Sequence, residues 1–333
     1  MRIKSALLPA ALASAALLAA CSGNGSGTQS ALPGSTMQSQ SHVLSMAERS
    51  GIAPKFLSSL HAVTPARHRR SHGLKEIVVS DASLGELVIF NKSYSETGTI
   101  TDSGPDGDWV DRKENSYAAN YATLTATEYN KGGTLLSTYS TSLTDPVDVA
   151  TDHAGNVYVA NYGSSGAAIV EYPQGSNTPN NTCNTGLNNE GVAIDGKGDV
   201  FLSGNNPNTG SGQLLEFKGG LSGCNATTLG ATVSFAGGLQ LDKKGDLVAC
   251  DQLVGIDIIP APYTTISKTI TVTGGSDYFH DALDYKNSLL FIADPSTDNV
   301  DVVKFPAGTL VTQINSGKGL SLPYGVATYP FAR

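Results

Sequence analysis

A motif of about 40 residues returns five times along this chain, and a sixth copy is split between its two ends. In the whole copies, one strand of the motif reads Ser116-Tyr-Ala-Ala-Asn120, Asn156-Val-Tyr-Val-Ala-Asn161, Asp199-Val-Phe-Leu-Ser-Gly204, Asp246-Leu-Val-Ala-Cys-Asp251 and Ser288-Leu-Leu-Phe-Ile-Ala-Asp294. A repeat of this length sets the architecture ahead of any single residue, because each unit buries its apolar face only against a neighbour. Around that strand the grammar is constant. A strand ends in an acid, a Gly-containing turn follows, then the strand quoted above, then two more variable strands. The acids that end the first strands are Asp111, Asp152, Asp195, Asp242 and Asp284, spaced by 41, 43, 47 and 42 residues. Asp-x-x-Gly is a tight hairpin in which Gly supplies positive φ and Asp bonds the turn amides, so these carboxylates are read as structural.

A further 44 residues lead from Asp284 to Thr328, in Tyr324-Gly-Val-Ala-Thr328 at the end of the chain. That strand has no partner after it. Its missing partners stand at the beginning, in Glu76-Ile-Val-Val-Ser-Asp81 and Glu86-Leu-Val-Ile-Phe90. The C-terminal strand is therefore predicted to pair beside residues 77–80, complete the first unit and close a ring of six. Closure removes the open sheet edges that a flat stack would expose. The expected fold class is all-β, a six-bladed β-propeller over residues 72–333. Gly 37, Trp 1 and a charged fraction of 15% suit many turns and thin strands.

The first 71 residues read differently. Arg2 and Lys4 precede an apolar stretch over residues 6–20, too short to span a bilayer and laid out as a secretory signal. It ends in Leu18-Ala19-Ala20-Cys21 and is followed by Ser22-Gly23-Asn24-Gly25. This segment resembles a bacterial lipoprotein signal peptide with its lipobox. The resemblance implies removal of residues 1–20, lipidation of Cys21, and export to the periplasmic side of a membrane or the cell surface. Residues 21–71 read as a tether, Gly- and Ser-rich at first, with a short helix expected over residues 46–63 and a basic cluster at residues 67–70.

Charge separates the two parts. Residues 1–70 carry seven Lys/Arg and only Glu48, whereas residues 71–333 carry 14 Lys/Arg against 28 Asp/Glu. An acidic body excludes nucleic acid as a partner, since phosphate binding needs a basic surface. A monomer is expected.

The repeat resembles the NHL-repeat family of β-propellers. Gly191-Val-Ala-Ile-Asp195 and the strand ending Ile-Ala-Asp294 carry the likeness, which covers residues 75–333. The copy around Trp109 departs most, with Arg112-Lys113-Glu114 and no Gly in its turn. The resemblance implies the fold and leaves activity open, because propellers host many functions.

In such a ring the starts of the first strands and the ends of the second strands share one face. The Asp-x-x-Gly turns share the other. On the first face the copies align one ring of Asp108, Asp148, Glu190, His280 and Asp281, and a second of Asp81, Asn120, Asn161, Asp251 and Asp294. The second ring reads as caps on following turns. The first ring makes an acidic mouth, fit to attract a cationic ligand or to hold a divalent cation, Ca²⁺ or Zn²⁺, with Glu190, Asp148 and Asp281 as ligands. His280 beside Asp281, with Glu190, is a candidate acid/base set. A lone His is also a common packed residue, and both readings stay open. The expected function is an anchored binding or scaffold module for another envelope protein, a peptide or a glycan. The rival is a metal-dependent hydrolase or lyase, like the lactonase and streptogramin-lyase propellers, whose site motifs have no residue-by-residue match in this chain.

Beyond Cys21 there are three cysteines. Cys183 and Cys224 lie one repeat apart, and an exported compartment permits a bridge. Outer strands of neighbouring blades splay apart, which argues against one. Cys250 falls in a buried strand and reads as a packed thiol.

Overall fold

The computed structural model describes residues 73–163 and 167–330. The signal segment, Cys21, the tether with its expected helix, and the basic cluster at residues 67–70 lie outside the described residues. Within them the chain forms six four-stranded antiparallel sheets and two single-turn 3₁₀ segments. Blade two shows the plan, running outward from its inner strand: Pro105–Val110, Ser116–Asn120, Thr125–Tyr129, Leu135–Tyr139. The inner strands of blades three to six are Pro146–Thr151, Asn188–Ile194, Ala236–Leu241 and His280–Leu283.

Blade one takes its inner strand, Pro323–Tyr329, from the chain's end. It pairs antiparallel with Glu76–Asp81, placing Ile77 opposite Thr328, Val79 opposite Val326 and Ser80 opposite Gly325. The ring is therefore closed by the pairing the sequence predicts. Each inner strand touches the next around the axis.

The turns form as their residues require. Asp152 Oδ1 accepts the amides of Ala154, Gly155 and Asn156 at 2.8, 2.8 and 2.9 Å. Gly155, Gly198 and Gly245 take the left-handed position at φ +92°, +88° and +84°. In the two copies without that glycine, Glu114 and Asn287 occupy the same region at φ +67° and +52°. A side chain there costs about 1 kcal/mol. The Glu114 carboxylate is held in place by Lys131 and by Lys75 at 3.6 Å, which explains how the divergent copy keeps the turn.

Strand side chains alternate, and in a blade both faces are buried against neighbours. Ile77 and Val79 pack with Phe291 and Val302 of blade six, while Val78 between them packs with Val110 and Ala118 of blade two. Among the described residues there are six such apolar clusters, one at each blade-to-blade interface.

Cys183 and Cys224 form a disulfide, with Cα atoms 5.2 Å apart. The splaying of outer strands does not prevent it. Cys224 lies in the 3₁₀ segment Ser222–Cys224, ahead of the outer strand of blade four, where the chain reaches back toward blade three. Cys250 is a free, buried thiol.

Closure leaves little room at the axis. A β-carbon on Gly325 would stand 2.3 Å from the carbonyl oxygen of Asp106 and 3.0 Å from the amide nitrogen of Asp108, both on the neighbouring blade. Gly325→Ala is expected to lower the unfolding free energy by about 2–3 kcal/mol, measured by urea denaturation. An unchanged midpoint would contradict this account of the closure.

Candidate functional site

Five inner strands are bulged near their start: the pairing slips between Pro323 and Gly325, Pro105 and Asp108, Pro146 and Asp148, Asn189 and Gly191, and Ala236 and Leu239. Such slips re-aim side chains, here near the axis. His280 and Asp148 meet there, with Nε2 2.9 Å from Oδ1. They belong to blades six and three, on opposite sides of the ring, so this hydrogen bond spans the channel. Asp148 also accepts the amides of Val149 at 2.7 Å and of Val192 in blade four at 2.8 Å. Two glycines make space for the pair. A β-carbon on Gly107 would lie 2.5 Å from Asp148 Oδ1, and one on Gly238 would lie 2.7 Å from the His280 ring.

Burial works against a charged imidazole, but Asp148, with further help from Asp108 and Asp281, outweighs it and raises His280 to about 9. Asp108 lies close by. Burial pushes its carboxyl well above the ordinary range, with His280 and Ser80 opposing. Neither Asp108 oxygen has a donor in hydrogen-bonding geometry. Asp281 points toward blade five, with Oδ1 3.5 Å from Cys250 Sγ and Oδ2 unpartnered. Burial raises it to about 7 despite His280. The contrast with Glu128 in blade two is instructive. That equally buried carboxylate accepts from Asn115, Tyr117, Gln174 and Tyr139 at 2.9–3.1 Å. A buried carboxylate kept for structure is satisfied; those at the axis are not.

Above the His280–Asp148 pair the channel opens into a mouth. Glu190, about nine-tenths buried, accepts from Asn205 Nδ2 at 3.1 Å. Burial first, then the nearby Asp106, Asp145 and Asp277, raise its carboxyl well up. Asp106 is raised in the same way, by burial and then by Asp148 and Asp145 against His280, and its Oδ1 has no partner. Half-buried aromatic rings stand around these acids. Phe279 and Tyr324 stack with centroids 4.9 Å apart, and Tyr162 accepts from Asn188 at 3.2 Å.

Of the first ring, then, the fold brings together His280, Asp148 and Asp108, sets Glu190 in the mouth, and turns Asp281 away. Sequence alignment of the copies missed Asp106, Asp145 and Asp277, and with them Tyr162, Phe279 and Tyr324. Most of these precede the regular part of an inner strand, and an acid recurring in the loop before that strand was the available signal.

The second ring is structural. Asp81 accepts the amides of Ser321 and Leu322, Asn161 those of Thr144 and Asp145, Asp251 those of Ser234 and Phe235, and Asp294 that of Ser276. Each ties the second strand of a blade to the loop entering its first. Asn120 instead donates to Thr127 Oγ1 at 3.0 Å.

Ca²⁺ or Zn²⁺ needs convergent ligands. Asp148, Asp281 and Glu190 diverge toward His280, Cys250 and Asn205. Among the described residues no three His, Cys, Asp or Glu side chains are gathered so as to hold an ion. The residues do not fit a divalent cation.

His280 and Asp281 give the fold a pH dependence of definite sign. A folded-state value above the unfolded one means that the folded state holds the proton more tightly. The stabilisation from His280 is complete below the ordinary histidine value of 6.5 and is lost as pH rises through about 9. For Asp281 the loss runs from 3.8 to about 7. Urea midpoints are expected to fall steadily from pH 5 to pH 9, with His280→Gln flattening the part above pH 7. Midpoints that rise over this range would overturn the assignment.

Neither a protein-family model nor a curated protein sequence matches the chain. Solved structures do. A chain of the nidogen/laminin complex is 14% identical, covering 78% of this chain and 99% of its own length with a TM-score of 0.65. A protein of unknown function from Bacteroides caccae is 12% identical, with coverages of 77% and 98% and a TM-score of 0.60. A gluconolactonase from Xanthomonas campestris is 16% identical, with coverages of 66% and 79% and a TM-score of 0.53. At these identities the likeness is one of fold, and the fold this chain shares with them is the six-bladed β-propeller.

Proposed function

We propose that this protein is a lipid-anchored, extracytoplasmic binding module whose acidic mouth receives a cationic group of a partner, such as a Lys or Arg side chain of another envelope protein or a peptide. The observation that carries the reading is Asp106. Its carboxyl is 94% buried (6% exposed), one oxygen is unpartnered, and Glu190, Asp145 and Asp277 lie near it with aromatic rings beside them. A buried carboxylate without a donor is expensive. An incoming ammonium or guanidinium would supply the missing donor, and the faces of Tyr162, Phe279 and Tyr324 would favour a cation. The hydrolase or lyase reading has less to stand on, because His280 Nε2 is engaged by Asp148 and both side chains are buried, His280 to 5% and Asp148 to 2% exposure.

Titration calorimetry with a tetralysine peptide tests this, with tetraglutamate as control. The Asp106→Asn/Glu190→Gln double variant is expected to weaken tetralysine binding at least tenfold. Affinity should rise with pH, since burial keeps these carboxyls protonated in acid. An equal affinity for the double variant, or tighter binding in acid, would overturn the reading.

The anchor has its own check. The full chain should partition into the detergent phase on Triton X-114 separation, and Cys21→Ser should move it to the aqueous phase. Unchanged partition of the variant would exclude Cys21 as the lipid carrier.

A further inference from the structure

The Asp-x-x-Gly turns surround the other end of the channel, and there the molecule holds a cavity of about 460 Å³. That volume lies in the range of small-molecule sites. Its apolar surface comes from Trp109, Ile194, Leu241 and Tyr263. Trp109 is fixed in orientation by a 2.9 Å hydrogen bond from Nε1 to Thr151 Oγ1. Gln240 closes the depth of the cavity, donating to the Asp281 carbonyl at 2.9 Å and accepting from the Leu283 amide at 3.0 Å. None of His280, Asp148, Asp106 and Glu190 lines this cavity.

The turns that line this cavity bring cations: Arg112, Lys113, Lys197, Lys243 and Lys244. They also bring Asp111, Asp152, Asp195 and Asp242, so the count of charges alone favours neither sign. Direction decides. The four carboxylates fold inward onto their own turns: Oδ1 of Asp111 accepts the amides of Lys113 and Asn115, Asp195 those of Lys197 and Asp199, and Asp242 those of Lys244 and Asp246. Asp152 accepts three amides in the same manner. Their charge is met by backbone dipoles, whereas Lys197 and Lys244 are exposed at the rim; Lys243, also exposed, sets its ammonium 4.1 Å from the centre of the Tyr285 ring. A flat apolar wall under exposed ammonium groups fits one class of ligand.

We infer that this cavity is a second binding site, for a small organic anion with a flat apolar body and a carboxylate, phosphate or sulfonate group. The body lies along Trp109 and Leu241, and the anion meets the lysines of blades four and five. Nothing in this assignment depends on the acidic mouth.

The protein has a single tryptophan, and it lines this cavity. Its emission therefore reports occupancy directly. The full chain is titrated with 4-nitrobenzoate, a contact quencher of indole, and with 4-nitrobenzylammonium and 4-nitrobenzyl alcohol as the cationic and neutral matches. Saturable quenching by the anion is expected, with affinity at least tenfold above either control. Lys197→Glu/Lys244→Glu should reduce that affinity at least tenfold. These exposed side chains can be reversed without disturbing the core, and circular dichroism confirms the fold. Trp109→Phe, followed by calorimetry, should still bind the anion. Asp106→Asn/Glu190→Gln should leave the quenching unchanged, so failure here and failure at the acidic mouth are distinguishable. Equal affinity for the three probes, absence of saturable quenching, or indifference to the lysine reversals would each overturn the assignment.

Discussion

Six strands converge on one axis, and the space left there is smaller than six ordinary side chains. That constraint governs the centre of this molecule. It is met by glycine where backbone touches backbone, as at Gly325 against Asp106 and Asp108. It is met by bulges where a strand must turn a side chain inward. Where two side chains meet across the gap, as His280 and Asp148 do, a glycine stands beside each. The apolar clusters between blades supply the burial that holds the ring, at roughly 25 cal/mol per Å² of apolar surface. The axis decides how close the blades come.

Charge is distributed as unevenly as space. In the turns, and at the ends of the second strands at Asp81, Asn161 and Asp251, side-chain oxygens accept backbone N–H groups. In blade two a deeply buried Glu128 is satisfied by four donors. Near the axis the accounting changes: Asp106, Asp108 and Asp281 keep oxygens without donors, and burial holds their carboxyls toward the neutral form. Local departures from satisfaction in an otherwise consistent structure mark where function is sought.

The fold was legible in the sequence because repetition and alternation are one-dimensional signals. Spacing of the strand-ending acids gave the blades, and the orphan strand at residues 325–328 gave the closure. The caps formed by Asp81, Asn161, Asp251 and Asp294 were legible too, since capping is local. The site was legible only in part. Aligning the copies found Asp108, Asp148, Glu190 and His280, but it could not see that His280 reaches across to the opposite blade, because a contact between positions 148 and 280 leaves no mark in either segment. Asp106 sits in the bulge of its strand, and Asp145 and Asp277 in the loops before theirs, where copies do not superpose. The Cys183–Cys224 bridge depends on a loop bending back between blades, which spacing alone leaves undecided. The cavity under the turns escaped for a different reason: its lysines were read as turn residues, and only their convergence around Trp109 gives them a common target.

The pairing of the last strand with Glu76–Asp81 also fixes where the described chain enters the ring. The Lys75 amide bonds the Tyr329 carbonyl at 2.8 Å, and Lys75 reaches Glu114 in a turn of blade two. Entry is thus on the side of the turns. Residue 73 therefore stands at the lysine-rimmed end of the ring, and the full height of the strand Glu76–Asp81 separates it from the acidic mouth.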